Sequence, residues 1–177
     1  IEIGKFFVGM APINVNAWTE LPNGAADTNV KNDSAIATLK GSKLNGSYTV
    51  GGAGAQFPTL EAAAAAALDR GVCGPVVFKI ADGTYTSSVD LYQPIEGASA
   101  INTVTFESAS HDSTKVMIVR HYSYSSFSIS SDHIIIKGLG FLDTLKLSST
   151  TYSIQFQKAA KNNAVTNCYF KCWIGKQ

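Results

Sequence analysis

The acidic side chains Asp82, Asp90, Glu107, Asp112, Asp132 and Asp143 fall in one stretch of the chain, with His111, Arg120, His121 and His133 nearby. Clustered carboxylates, alone or beside a basic group, are what cleavage of a polysaccharide requires, because one group must donate a proton while another acts as base or nucleophile. Asp132 and His133 precede an apolar run and His121 follows another, so a pair formed across neighbouring strands is the sharpest catalytic arrangement available. The plainer reading is a bend-capping Asp132 beside an exposed His133. Asp82-Gly83 and His111-Asp112-Ser113 are turn contexts, in which a carboxylate bonds its own backbone. No strand carries the paired acids of calcium-dependent lyases, and neither a Gly-x-Ser-x-Gly run nor metal-ligand spacing occurs. No metal and no cofactor is therefore expected.

Two further groups invite a binding role. Tyr122 and Tyr124, followed by Phe127 and separated by serines, supply an aromatic platform for a sugar ring, with packing between strands as the ordinary alternative. Gly52-Ala53-Gly54 resembles part of a phosphate loop, but Phe57 stands where a third glycine belongs and Pro58 interrupts the turn, so a tight turn is expected. Cys73, Cys168 and Cys172 match no zinc spacing. Cys168 and Cys172 read as small buried hydrophobes, with a disulfide as the alternative in an exported protein.

Composition narrows the partners. In 177 residues, 14 basic and 13 acidic side chains leave a formal net charge of +1, which provides no broad field for nucleic acid or an anionic membrane. No apolar run approaches the roughly 18–20 residues of a membrane helix, so neither nucleic-acid binding nor membrane insertion is expected. With 45% hydrophobic residues the chain can bury a core. Charged residues make up only 15%, and Ser, Thr, Asn and Gly separate β-branched runs, a texture that favours an extracellular β protein. Ile1-Glu2-Ile3 has neither a positive leader nor a cleavage site, so a processing boundary ahead of it is expected.

The elements that must position these groups are mostly strands. Alternating apolar residues over 13–19 and 35–39, with turn formers between them, predict an antiparallel pair that needs further strands to complete its sheet. Residues 41–46 read as a linker, and a new unit opens at Ser47. A helix follows, capped by Thr59 and stopped by Gly71, with Leu60, Ala64, Ala67 and Leu68 on one apolar face. Its small alanines predict close packing over the end of a stack of strands.

After Gly74 short β runs take over, at 76–80, 88–91, 103–107, 115–119, 127–130, 133–137, 152–156 and 164–170. Val76 and Phe78 recur as Val104 and Phe106, and Val89 and Leu91 as Met117 and Val119, at an offset of 28. Ile136, Leu139 and Phe141 recur as Val165, Cys168 and Phe170 at 29. A repeat of this length with no helices between its strands predicts a solenoid, whose coils pair in parallel and stack like residues in interior columns. Asn162, Asn163 and Asn167 fall at bends, where Asn tolerates left-handed backbone and can stack on its neighbours.

The runs Leu44-Asn45-Gly46-Ser47-Tyr48-Thr49-Val50, Phe57-Pro58-Thr59-Leu60-Glu61-Ala62-Ala63, Gly74-Pro75-Val76-Val77-Phe78-Lys79-Ile80 and Ser131-Asp132-His133-Ile134-Ile135-Ile136-Lys137-Gly138 together resemble secreted right-handed parallel β-helix proteins of Bacteroidetes-type bacteria. The likeness covers residues 44–177. Asn16-Ala17-Trp18-Thr19 and Pro22-Asn23-Gly24 look like the last hairpin of an adhesion-type immunoglobulin-like module. The resemblance implies an all-β chain in three parts: 1–40 ending an immunoglobulin-like sandwich, a linker at 41–46, and 47–177 forming the helical cap and first coils of an incomplete β-helix. It implies a surface or adhesion module of a larger protein, binding glycans or other surface components and exported as cargo of the type 9 outer-membrane translocon. A polysaccharide lyase, esterase or glycosidase on the same scaffold is the alternative.

Overall fold

The structure, a computed structural model, describes residues 13–18, 34–39, 41–120, 125–143, 152–158 and 160–172. The chain divides into two compact units, Ile1–Ser42 and Lys43–Gln177.

In the first unit, β1 (Ile13–Trp18) and β2 (Ser34–Leu39) pair antiparallel, with Ile13 opposite Leu39 and Trp18 opposite Ser34. Thr38 Oγ1 donates to Asn14 Oδ1 at 2.8 Å across the pair. This is the hairpin that the alternation predicts. Among the described residues of this unit there is only this pair, and an immunoglobulin-like sandwich is not shown.

The second unit opens with β3 (Leu44–Val50), which begins inside the stretch read as linker. Helix α1 (Leu60–Arg70) follows. Thr59 Oγ1 accepts the Ala62 N–H at 3.1 Å, and the Gly71 N–H closes the other end on the Ala67 carbonyl at 3.0 Å. Leu60, Ala63, Ala64 and Ala67 form the buried face. Because three of these four side chains are single methyl groups, the helix axis can lie close to the strands beneath it.

The coils come next. The first contains β4 (Val72–Ile80), β5 (Gly83–Ser87) and β6 (Val89–Leu91); the second β7 (Val104–Ser108), β8 (Val116–Arg120) and β9 (Ser125–Ile129). The third contains β10 (Ile134–Lys137), β11 (Gly140–Asp143) and β12 (Tyr152–Phe156), and the fourth begins with β13 (Ala164–Thr166) and β14 (Tyr169–Cys172). They stack into three parallel sheets: sheet 1 in the order β13-β10-β7-β4-β3, sheet 2 as β14-β11-β8-β5, and sheet 3 as β12-β9-β6. The strands of each coil bond those of the neighbouring coils along the axis, and the interior is left to side chains. Helix α1 packs against β3, β4 and β6, over the first coil.

The interior columns follow from register. Phe78 pairs with Phe106, Phe106 with Ile136 and Ile136 with Val165. In sheet 2 Tyr85 pairs with Ile118, Ile118 with Phe141 and Phe141 with Phe170. Rings from different sheets meet between the columns: Phe106 lies edge-on to Phe127 at 5.6 Å, and Phe127 to Phe141 at 6.0 Å. An aromatic train therefore runs along the axis. Each fully buried ring contributes about 1.5–3 kcal/mol of transfer free energy.

The offset of 28 holds between β4 and β7 in sheet 1 and fails for the other proposed match. Val89 pairs with Phe127 and Leu91 with Ile129, whereas Met117 and Val119 pair with Thr84 and Thr86 and alternate outward from the buried Val116 and Ile118. The connection at 109–115 between β7 and β8 is longer than the one at 81–82 between β4 and β5, so β8 and β9 slip out of the sheet 1 stride.

The bends use left-handed backbone as expected, with φ of 56° at Asn162 and 52° at Asn167. Asn163 bridges coils: its Oδ1 accepts the Ile134 N–H at 2.7 Å and its Nδ2 donates to the Ser131 carbonyl at 3.1 Å. Cys168 is half-buried against the core, its S–H directed at the Thr166 carbonyl at 3.3 Å, and burial pushes its thiol pKa up. Cys73 is exposed, and both Cys73 and Cys168 are free thiols. The Cys172 side chain lies outside the described residues.

Candidate functional site

The acidic residues do not converge. Asp82 accepts a hydrogen bond from Ser110 Oγ at 2.5 Å in the coil above. Asp112 Oδ1 accepts both Thr114 Oγ1 at 2.7 Å and Thr114 N–H at 2.9 Å, and these bonds hold its carboxyl below the ordinary range. Glu107 lies 3.3 Å from Lys137 and pairs in register with Lys79 on its other side. Asp143 forms an ion pair with Arg120 at 2.7 Å. Each of these four carboxylates answers a donor of its own fold.

Asp132 and His133 occupy the bend before β10. His133 has φ 61°, and its N–H donates to the Lys161 carbonyl at 3.2 Å. Asp132 Oδ1 accepts the Lys161 N–H at 2.7 Å, which locks this bend to the corresponding bend one coil later. His121, Tyr122 and Tyr124 lie outside the described residues. Among the described residues no three His, Cys, Asp or Glu side chains group closely enough to hold a metal ion, and no helix is long and apolar enough to cross a membrane. Gly52 and Gly54 both have positive φ and form a turn between β3 and α1.

Polar groups do gather on the outer face of sheet 3. Between the buried Val89 and Leu91, Asp90 points outward, and register places it beside Ser128, which in turn lies beside Gln155. Gln157 Nε2 donates to Gln155 Oε1 at 2.9 Å. Tyr152, 42% exposed, stands at one margin, and the group lines an open recess of about 410 Å³. Parallel stacking produces this arrangement, because alternate residues of β6, β9 and β12 are forced to one face at fixed spacing. Gln155 could have been found from the alternation in Tyr152-Ser153-Ile154-Gln155-Phe156; the same alternation groups Tyr152 with the inward Ile154, and only the shared recess brings it to Gln155. Asp90 and Ser128 required the register, which the longer loop before β8 obscured.

A second recess of about 440 Å³ opens where sheet 3 turns into sheet 1, lined by Asp132, His133, Lys158 and Lys161 together with Ser130 and Ile95. Compared with family models, with curated proteins and with solved structures, the chain matches none.

Proposed function

We propose that this chain is a rigid β-helical module of an exported cell-surface protein, and that the outer face of sheet 3 binds glycans. The observation that carries the reading is one open recess lined by both the exposed Tyr152 and the Asp90–Ser128–Gln155 row. A phenol ring covers the apolar C–H face of a pyranose, while a carboxylate, a hydroxyl and a carboxamide answer its hydroxyl groups. The parallel ladder holds these groups on regular strands, which lowers the cost of ordering them on binding.

The same proposal includes right-handed winding, the sense that parallel strand crossovers overwhelmingly take. It includes an immunoglobulin-like module ahead of the solenoid and export through the type 9 route. The low charge content and the Ser, Thr and Asn texture support an extracellular setting. Polysaccharide cleavage has less support, because Asp82, Asp112, Asp132 and Asp143 each already accept a bond within the fold.

Glycan-array screening of the intact chain, followed by titration calorimetry on the hits, tests the reading. Tyr152→Ala should weaken binding at least tenfold with the unfolding midpoint little changed. Silence across a broad array, or full affinity in Tyr152→Ala, would remove the proposal.

A further inference from the structure

We propose that the recess at the turn from sheet 3 to sheet 1 binds the anionic group of an acidic sugar, a carboxylate or sulfate ester; the identification of the carrier as a sugar rests on the glycan reading above. Gln157 lines the sheet 3 groove and Lys158, the next residue, lines this recess, so one oligosaccharide can reach both.

Three observations converge on an anion. First, two ammonium groups, Lys158 and Lys161, border the recess against one carboxylate, Asp132. That carboxylate is already engaged by the Lys161 N–H at 2.7 Å. Second, Ser130 is only 5% exposed, and its hydroxyl oxygen is buried with no hydrogen-bond partner among the described residues although the residue lines the recess. A hydroxyl left without a partner is costly, and an acceptor reaching into the recess would satisfy it. Third, the walls are held in place. Lys158 Nζ donates to the Tyr92 carbonyl at 2.8 Å, which spans 66 residues of sequence, and the Ile95 N–H donates to Ser131 Oγ at 3.0 Å. His133 adds an imidazole whose backbone is fixed by its own bond to Lys161.

The non-ionic part of the ligand meets Pro94 and Ala98, which line the same recess. An anion on a compact ring fits this combination: charge toward the lysines, C–H face toward the proline. Asp132 repels such a ligand, so neutralising it should strengthen binding, whereas a catalytic Asp132 would lose function.

Calorimetry on the intact chain tests the inference with an oligogalacturonate, a neutral galacto-oligosaccharide of equal length and a sulfated galacto-oligosaccharide. Lys158→Gln and Lys161→Gln should each lower affinity for the charged probes at least fivefold, leave the neutral probe unchanged and flatten the dependence on salt. Asp132→Asn, whose amide oxygen can still accept the Lys161 N–H, should raise that affinity two- to fivefold. Preference between the uronate and the sulfated probe identifies which anion the recess takes. Equal affinity for neutral and charged probes would overturn the inference while leaving the Tyr152 groove intact, as would an equal loss in Lys115→Gln on the distant β7–β8 loop. Lys-dependent binding of charged probes that survives Tyr152→Ala would remove the groove and keep this site.

Discussion

The ring of Phe106 lies 4.9 Å from that of Phe78, one coil away, in strands that run parallel and pair these two residues directly. Both rings are fully buried, so neither can be shortened without opening a void along the axis. Phe106→Ala is expected to destabilise the solenoid by about 3–5 kcal/mol. Phe170 stacks on Phe141 at 5.1 Å but is 50% exposed, so Phe170→Ala should cost about half as much. Urea denaturation of the two variants gives the comparison; equal losses would contradict the burial gradient.

A charged pair interrupts the interior of sheet 2. Arg120 continues the inward alternation of Val116 and Ile118, its side chain is 2% exposed, and its guanidinium meets the Asp143 carboxylate at 2.7 Å. Asp143→Ala should destabilise by on the order of 2–3 kcal/mol, below the loss for a wholly buried pair because Asp143 itself reaches solvent. The double variant Arg120→Met, Asp143→Leu should recover part of that loss, since an apolar pair of similar volume leaves no charge stranded. A double-mutant cycle in denaturant measures the coupling, and strict additivity would show that the two side chains act independently.

The solenoid was legible in the sequence because the inward residues of sheet 1, Phe78, Phe106, Ile136 and Val165, recur at 28, 30 and 29 residues as Phe and β-branched types, which few other folds demand. Helix α1 was legible for a different reason: Thr59, the alanine run and Gly71 are a complete local instruction. What was lost is equally specific. Gly83-Thr84-Tyr85-Thr86-Ser87 forms β5 with almost no apolar signal, because its partner strand β8 and the Tyr85 hydroxyl bond to the Ala81 carbonyl at 2.7 Å hold it. The run at 164–170 concealed a bend at Asn167 that splits it into β13 and β14. The sheet 3 face was illegible because it depends on three strands whose spacing, Val89 to Phe127 to Ile154, follows loop lengths and not a repeat.

Backbone constraint should separate two glycines that look alike in sequence. Gly97 has φ 85°, and a methyl group there would collide with the Val72 carbonyl oxygen, which belongs to the first strand of the first coil. Gly54 has φ 74° with nothing within 4 Å of the same added atom. Gly97→Ala is expected to cost about 2–4 kcal/mol, combining left-handed strain with the clash, and Gly54→Ala about 1 kcal/mol from strain alone. Thermal unfolding of both variants checks the ranking, and a Gly54 loss as large as that of Gly97 would refute it.

The join between helix and solenoid should be sensitive to acid. Burial acts to raise the Glu61 carboxyl, but bonds from Ser87 Oγ at 2.5 Å and the Ser88 N–H at 3.0 Å, with help from its own backbone and Thr59, outweigh it and hold the group below its ordinary 4.5. A carboxyl whose folded value is depressed contributes stability that is complete above the unfolded value and disappears as pH falls through the folded one. Glu61→Gln should therefore destabilise the chain by about 1 kcal/mol at pH 7, where the charged bonds are at full strength. The gap between wild type and variant should narrow as pH falls below 4.5 and close once Glu61 is protonated in both states. Unfolding free energies at pH 7, 5 and 3 measure this; a gap that stays constant would show that the Glu61 charge contributes nothing to holding α1 on the bend between β5 and β6.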